Sequence, residues 1–267
     1  MSSISKLIAT ALAILLSGCI SLVERRDKSF NILGDQPLTG TLMIIGGNSE
    51  CSADKGLWAI REDIASRIAA SLGIERKALS TIYFAWTGEE PGKGSCLPGF
   101  DYLDGEDKIY NQIAQKGLLS SKKLIVVGYS NGGATAADLS RLIKKDTADH
   151  RKVDLLITLD PVSRLTGGYR PSDAETWLNV YTRSKNFWDR VFNSSNEIAG
   201  WGGAWNQFDG PILQKCIQGN HHDSANMWDA AILSAQFEEW SAKNRIGNVS
   251  MQPARIPQSQ VSCPATD

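Results

Sequence analysis

The chain has 267 residues, 28 basic against 29 acidic for a net charge of −1, and 42% apolar content with eight tryptophans. That length can bury one large core, and the apolar and aromatic content excludes a disordered chain. The balanced charge presents no basic face, which argues against nucleic acid as a partner.

The first element is a targeting segment. Lys6 supplies a positive charge, and Leu7 to Leu16 form an apolar run too short to span a bilayer. The run ends at Leu16-Ser17-Gly18-Cys19, which resembles the lipobox of bacterial lipoproteins. That resemblance implies a signal peptide over residues 1–18, acylation of Cys19 as the first mature residue, and a membrane partner through the lipid. Each buried methylene of such a lipid contributes roughly 0.8 kcal/mol, so several acyl chains anchor firmly. Ile20, not Asp, follows the cysteine, which implies the outer membrane, facing the periplasm of a bacterial cell envelope. Residues 19–38 then read as a charged tether, including Glu24-Arg25-Arg26-Asp27-Lys28, with no core of their own. Residues 39–267 are expected to form a single domain.

Gly40 to Ile45 reads as a strand leading into Gly46-Gly47-Asn48. Between Gly56 and Leu72, Leu57, Ile60, Ile64, Ile68 and Leu72 recur at helical spacing. Thr81 to Trp86 is a second strand, followed by a long polar loop, and Asp104 to Leu118 a helix with Ile109 and Ile113 inward. Leu124-Ile125-Val126-Val127 is an unbroken apolar run suited to a strand buried on both faces. It enters Gly128-Tyr129-Ser130-Asn131-Gly132 and then a small-residue helix ending near Lys145. Further strands are expected at Val153 to Leu159, Trp177 to Tyr181 and Ile212 to Ile217. A last helix is expected from Ser224 to Lys243, capped by Asp223 or Ser224, before an extended tail. Strands alternating with helices predict an α/β fold, a mostly parallel sheet wrapped on both faces, with chemistry at the carboxyl ends of the strands.

Strand, G-x-S-x-G and helix in that order is the context of a nucleophile elbow. A sharp turn there would lift the Ser130 hydroxyl clear of the sheet, with Gly128 and Gly132 allowing strand and helix to close together. A serine hydroxyl needs a base, and the chain has three histidines. His150 precedes the strand starting at Val153, the wrong sheet edge. His221 and His222 follow the last strand, and His222, next to the helix cap, is preferred. The acid that would orient the imidazole is Asp160, at the end of the next strand, with Asp189 as the alternative.

The order Ser130, Asp160, His222 and the G-Y-S-N-G segment resemble the α/β-hydrolase superfamily. Leu159-Asp160-Pro161 is similar to the Leu-Asp-Pro segment of some lipases, whose acid follows this strand. The resemblance implies an oxyanion hole from the backbone N–H of Asn131 and one from the Gly47-Asn48 loop. It implies a lipase- or esterase-like serine hydrolase that forms an acyl-enzyme on a small-molecule or lipid ester. Acyl transfer or thioester cleavage would use the same residues, and a catalytically silent envelope scaffold is the reading from another class.

Aromatic residues from Phe187 to Phe208, on a glycine-rich connection, could line a pocket or cap the core. With Cys19 set aside, Cys51, Cys96, Cys216 and Cys263 remain, an even number suited to an oxidising compartment. Four cysteines allow three connectivities; if the loops of Cys51 and Cys96 lie at the same sheet edge, Cys51–Cys96 is natural and Cys216–Cys263 would then pin the C-terminal tail. The cysteine spacing fits no zinc pattern and H-E-x-x-H is absent, so neither a metal nor a cofactor is expected.

Overall fold

A computed structural model of the chain describes residues 21–25, 39–48, 56–87, 105–161, 173–183, 213–219 and 222–248. The elements are β1 (Ser21–Arg25), β2 (Gly40–Asn48), α1 (Gly56–Ala59), α2 (Arg61–Leu72), β3 (Leu79–Thr87) and α3 (Gly105–Gln115). They continue with β4 (Lys123–Tyr129), α4 (Asn131–Asp146), β5 (Leu155–Leu159), β6 (Trp177–Arg183) and β7 (Leu213–Gln218). The helices α5 (Ser224–Ile232) and α6 (Ala235–Asn244) close the series.

Among the described residues one sheet of seven strands runs in the order β1-β3-β2-β4-β5-β6-β7. The six strands from β2 to β7 are mutually parallel and β1 pairs antiparallel with β3. The expected α/β architecture is therefore the one observed. Alternation along β2 decides how its faces are used: Leu42 and Ile44 join one core, Met43 and Ile45 the other. The first core takes Ile64, Ile68 and Leu72 of α2 with Trp228 and Trp240 of α5 and α6. The second takes Ile109 and Ile113 of α3 with Ala136, Ala137, Leu139 and Ile143 of α4. With both faces covered, the central strands must be apolar throughout, and Leu124 to Val127 are each fully buried.

From β2 the chain moves outward to β3, then crosses back to β4 on the other side of β2. The crevice outside the carboxyl ends of β2 and β4 is thus a topological switch point, where open α/β sheets bind ligands.

Four local expectations change. The segment read as a charged tether contributes β1 to the sheet, pairing Ser21 with Thr87 and Arg25 with Tyr83. An uncovered edge of β3 offers a row of backbone partners, and even a charged five-residue stretch can take them. The strand from Gly40 runs past Ile45 to Asn48 through a bulge: Ile45 pairs with Phe84 but Asn48 with Trp86. The helix expected from Gly56 is broken at Ile60, where Arg61 donates to the Trp58 carbonyl at 2.7 Å and stacks 4.2 Å above its ring. The last helix is broken after Ile232, because Ser234 caps a new helix by accepting from Phe237 N at 3.2 Å. Asp223 holds the N-cap position of α5 but makes no side-chain capping bond.

Candidate active site

Ser130 follows the last residue of β4 and is the N-cap of α4, with φ 56° and ψ −126°. That conformation is sparsely populated by residues with a Cβ and costs on the order of 1–3 kcal/mol. Asp160 follows β5, also at positive φ, 41°. Tyr129 and Leu159 are the last register pair of β4 and β5, so the two strained residues are neighbours at the carboxyl edge. Hydrogen bonds hold both: Ser130 N donates to Leu159 O at 3.0 Å and Asp160 N to Val180 O at 2.7 Å. His150, in the exposed turn after α4, is the third non-glycine residue at positive φ among the described residues, at 51°; Ser130 and Asp160 differ from it in being buried and tied to the strand ladders.

The turn demands glycines on either side. A Cβ on Gly128 would strike the Gly132 carbonyl and lie 2.7 Å from the Ala136 Cβ. One on Gly132 would strike the Ile45 carbonyl of β2. The start of α4 is thereby pressed between β4 and the bulged end of β2.

The bulge turns Gly47 toward the serine. A Cβ on Gly47 would stand 2.7 Å from the Ser130 Cβ and 3.3 Å from its Oγ. Asn131, buried, leads α4, so its backbone stands at the positive end of the helix dipole. Two of the residues expected to form an oxyanion hole, Gly47 and Asn131, therefore flank Ser130. Asn48 is the last residue of β2.

Asp160 is 2% exposed, and its Oδ2 accepts a hydrogen bond from Thr182 Oγ1 at 2.9 Å. Thr182, on β6 and itself buried, is the partner that the sequence did not disclose; no local pattern links residues so far apart. His222 lies in the turn four residues beyond the end of β7 and is exposed. His150 is exposed in the turn after α4, at the opposite edge, with Nδ1 3.2 Å from Lys144 O.

His221, Asp189, the aromatic segment from Phe187 to Phe208, Cys19, Cys51, Cys96, Cys263 and the tail lie outside the described residues. Cys216, on β7, is disulfide-bonded to a partner that also lies outside them. Among the described residues no three His, Cys, Asp or Glu side chains are grouped to hold a metal ion.

No family model and no curated protein matches the chain. It is similar to solved structures, among them an α/β serine hydrolase without a lid from Xanthomonas campestris. The identity there is 13%, over 83% of this chain and 89% of that one, with a TM-score of 0.44. Est1E from Butyrivibrio proteoclasticus is 11% identical over 84% and 95% of the two chains, TM-score 0.44. A CIB-like hydrolase from Thermoplasma acidophilum is 12% identical over 85% and 97%, TM-score 0.42. The six parallel strands between helices stand on this chain's own strand order and pairing.

Proposed function

We propose that the protein is a serine hydrolase cleaving carboxylic esters, held in the bacterial envelope by a lipid on Cys19. The observation that carries this reading is Ser130, a non-glycine residue at φ 56° and ψ −126° between strand and helix, with Gly47 packed against its Cβ. Strain of this kind persists where function uses it, and here it presents a hydroxyl at the switch point of the sheet.

In the proposed mechanism His222 takes the Ser130 proton as the hydroxyl attacks the ester carbonyl. The tetrahedral oxyanion accepts hydrogen bonds from the backbone N–H groups of Gly47 or Asn48 and of Asn131. His222 then returns the proton to the leaving alcohol, which leaves an acyl-enzyme on Ser130. Water, deprotonated by the same imidazole, attacks the acyl carbon; the bond to Ser130 Oγ breaks, His222 returns the proton to that oxygen, and the acid is released. Asp160, buried and held by Thr182, is the acid that orients the imidazole and stabilises its charged form. Export through the lipoprotein route is consistent with the disulfide at Cys216.

A fluorophosphonate probe tests the reading. It labels the wild type, and Ser130→Ala loses the label together with hydrolysis of p-nitrophenyl esters; equal labelling of both proteins rejects it. Cys19→Ser abolishes incorporation of labelled fatty acid if the lipid anchor is as proposed.

A further inference from the structure

The antiparallel edge strand fixes which side of the domain an N-terminal anchor can reach. Ser21 pairs with Thr87, the last residue of β3, and Leu22 with Trp86, which pairs on its other side with Asn48. The start of β1 is therefore level with the carboxyl ends of β3 and β2, the edge that carries Gly47 and Ser130. Had β1 run parallel to β3, its start would lie at the opposite edge. Cys19 is two residues before Ser21, and two residues span at most about 7 Å. From β1 to β4 the sheet order gives three strand spacings of about 4.8 Å, roughly 14 Å in all. A two-residue chain starting at Ser21 therefore reaches no farther than about 25 Å from Ser130, while the amino edge lies farther away by the length of a nine-residue strand, about 30 Å.

We propose that β1 is a short leash that turns the active-site edge toward the bilayer carrying the protein. Ser130 then takes its ester from that same leaflet, an amphiphile whose scissile bond lies at the boundary of headgroups and acyl chains. The inference rests on the serine hydrolase reading of Ser130 and the lipid on Cys19; the orientation itself rests on the pairing of β1. A freely flexible tether of eighteen or so residues, by contrast, would reach about 20–25 Å on average and leave the domain free to tumble.

The test uses the full-length lipidated protein in phosphatidylethanolamine–phosphatidylglycerol vesicles. A fluorescent amino acid is placed at Ala59 or at Lys77, exposed positions at the two ends of the crossover from β2 to β3. Ala59 is on the carboxyl side and Lys77 directly beneath β3. Headgroup-labelled quencher lipid is expected to quench at Ala59 at least threefold more than at Lys77. A twelve-residue Gly-Ser spacer between Ile20 and Ser21 is expected to equalise the two. The spacer should also lower hydrolysis of a fluorogenic phospholipid ester in the same vesicles at least threefold, leaving soluble p-nitrophenyl acetate turnover unchanged. Equal quenching without the spacer, stronger quenching at Lys77, or absence of lipid on Cys19 each overturns the proposal. A spacer that leaves phospholipid turnover unchanged overturns the substrate assignment. Preferential quenching at Ala59 in a protein whose Ser130 takes no fluorophosphonate supports the orientation and rejects the hydrolase reading instead.

Discussion

Gly47 of β2 and Ser130 at the end of β4 are so close that a single methyl group on the glycine would stand 2.7 Å from the serine Cβ. Real Cβ atoms do not approach that near, so Gly47→Ala must push the β2 bulge away from the serine or move the serine itself. Misplacing one oxyanion donor typically costs about 10²–10³ in kcat. Gly47→Ala is expected to lose ester hydrolysis on that scale and to react slowly with fluorophosphonate, while its circular dichroism stays that of the wild type. Gly117→Ala is the control: φ is 68° there, but nothing lies within 4 Å of the added methyl. It should cost about 1 kcal/mol of stability through backbone strain and no activity.

Thr182 and Asp160 are both buried, and the hydroxyl donates to the carboxylate at 2.9 Å. Hydrogen bonds to charged groups contribute about 1.5–3 kcal/mol, and a carboxylate that loses its donor is free to turn. Thr182→Val keeps the shape and removes the donor. The expected result is a fall in kcat of about tenfold with KM unchanged, and recovery in Thr182→Ser. A lowered melting temperature with kcat intact would assign Thr182 to stability alone and set Asp160 aside as the acid.

The parts of this fold legible in the sequence are those set by neighbours along the chain. Leu124 to Val127 announce a two-faced strand because both sides of β4 are covered, and Gly128 and Gly132 bracket the serine because the turn is local. What stayed hidden depends on distant partners. The pairing of Ser21–Arg25 exists because β3 has an edge to offer, which five mixed residues do not reveal. The hydroxyl of Thr182 meets Asp160 only because β5 and β6 are adjacent in register, Leu159 opposite Val180. The break after Ile232 was written locally, in a serine with a good cap position, but the apolar periodicity on either side outweighed it.

Asp154 serves the amino edge as Asp160 serves the other. Its Oδ2 accepts from Leu124 N at 2.9 Å, its Oδ1 lies 2.8 Å from Lys123 Nζ, and Lys123 also reaches Asn244 of α6 at 2.7 Å. The pair is mostly buried, with side chains 16% and 21% exposed, so it falls between surface ion pairs and fully buried ones. Asp154→Ala takes the side-chain acceptor from Leu124 N and the counter-charge from Lys123, which keeps its bond to Asn244, at an expected cost of about 2–3 kcal/mol. Urea titration should register that loss while kcat/KM of the folded variant is unchanged, since the cluster is a strand length from Ser130.

The strain at Ser130 should be measurable as stability given up for a hydroxyl in the right place. At φ 56° and ψ −126° any side chain is penalised, whereas glycine reaches the region freely. Ser130→Ala removes the hydroxyl and keeps the penalty; Ser130→Gly removes both. In an ordinary strand-to-helix turn glycine would be the less stable of the two, by roughly 0.4–1 kcal/mol of unfolded-state entropy. Here relief of about 1–3 kcal/mol opposes that term and is expected to win, leaving Ser130→Gly more stable than Ser130→Ala by about 0.5–2 kcal/mol. Both variants should be inactive, so the comparison isolates the backbone. Urea denaturation of the pair decides the point, and a glycine variant less stable than the alanine one would mean that Ser130 carries no strain worth the name.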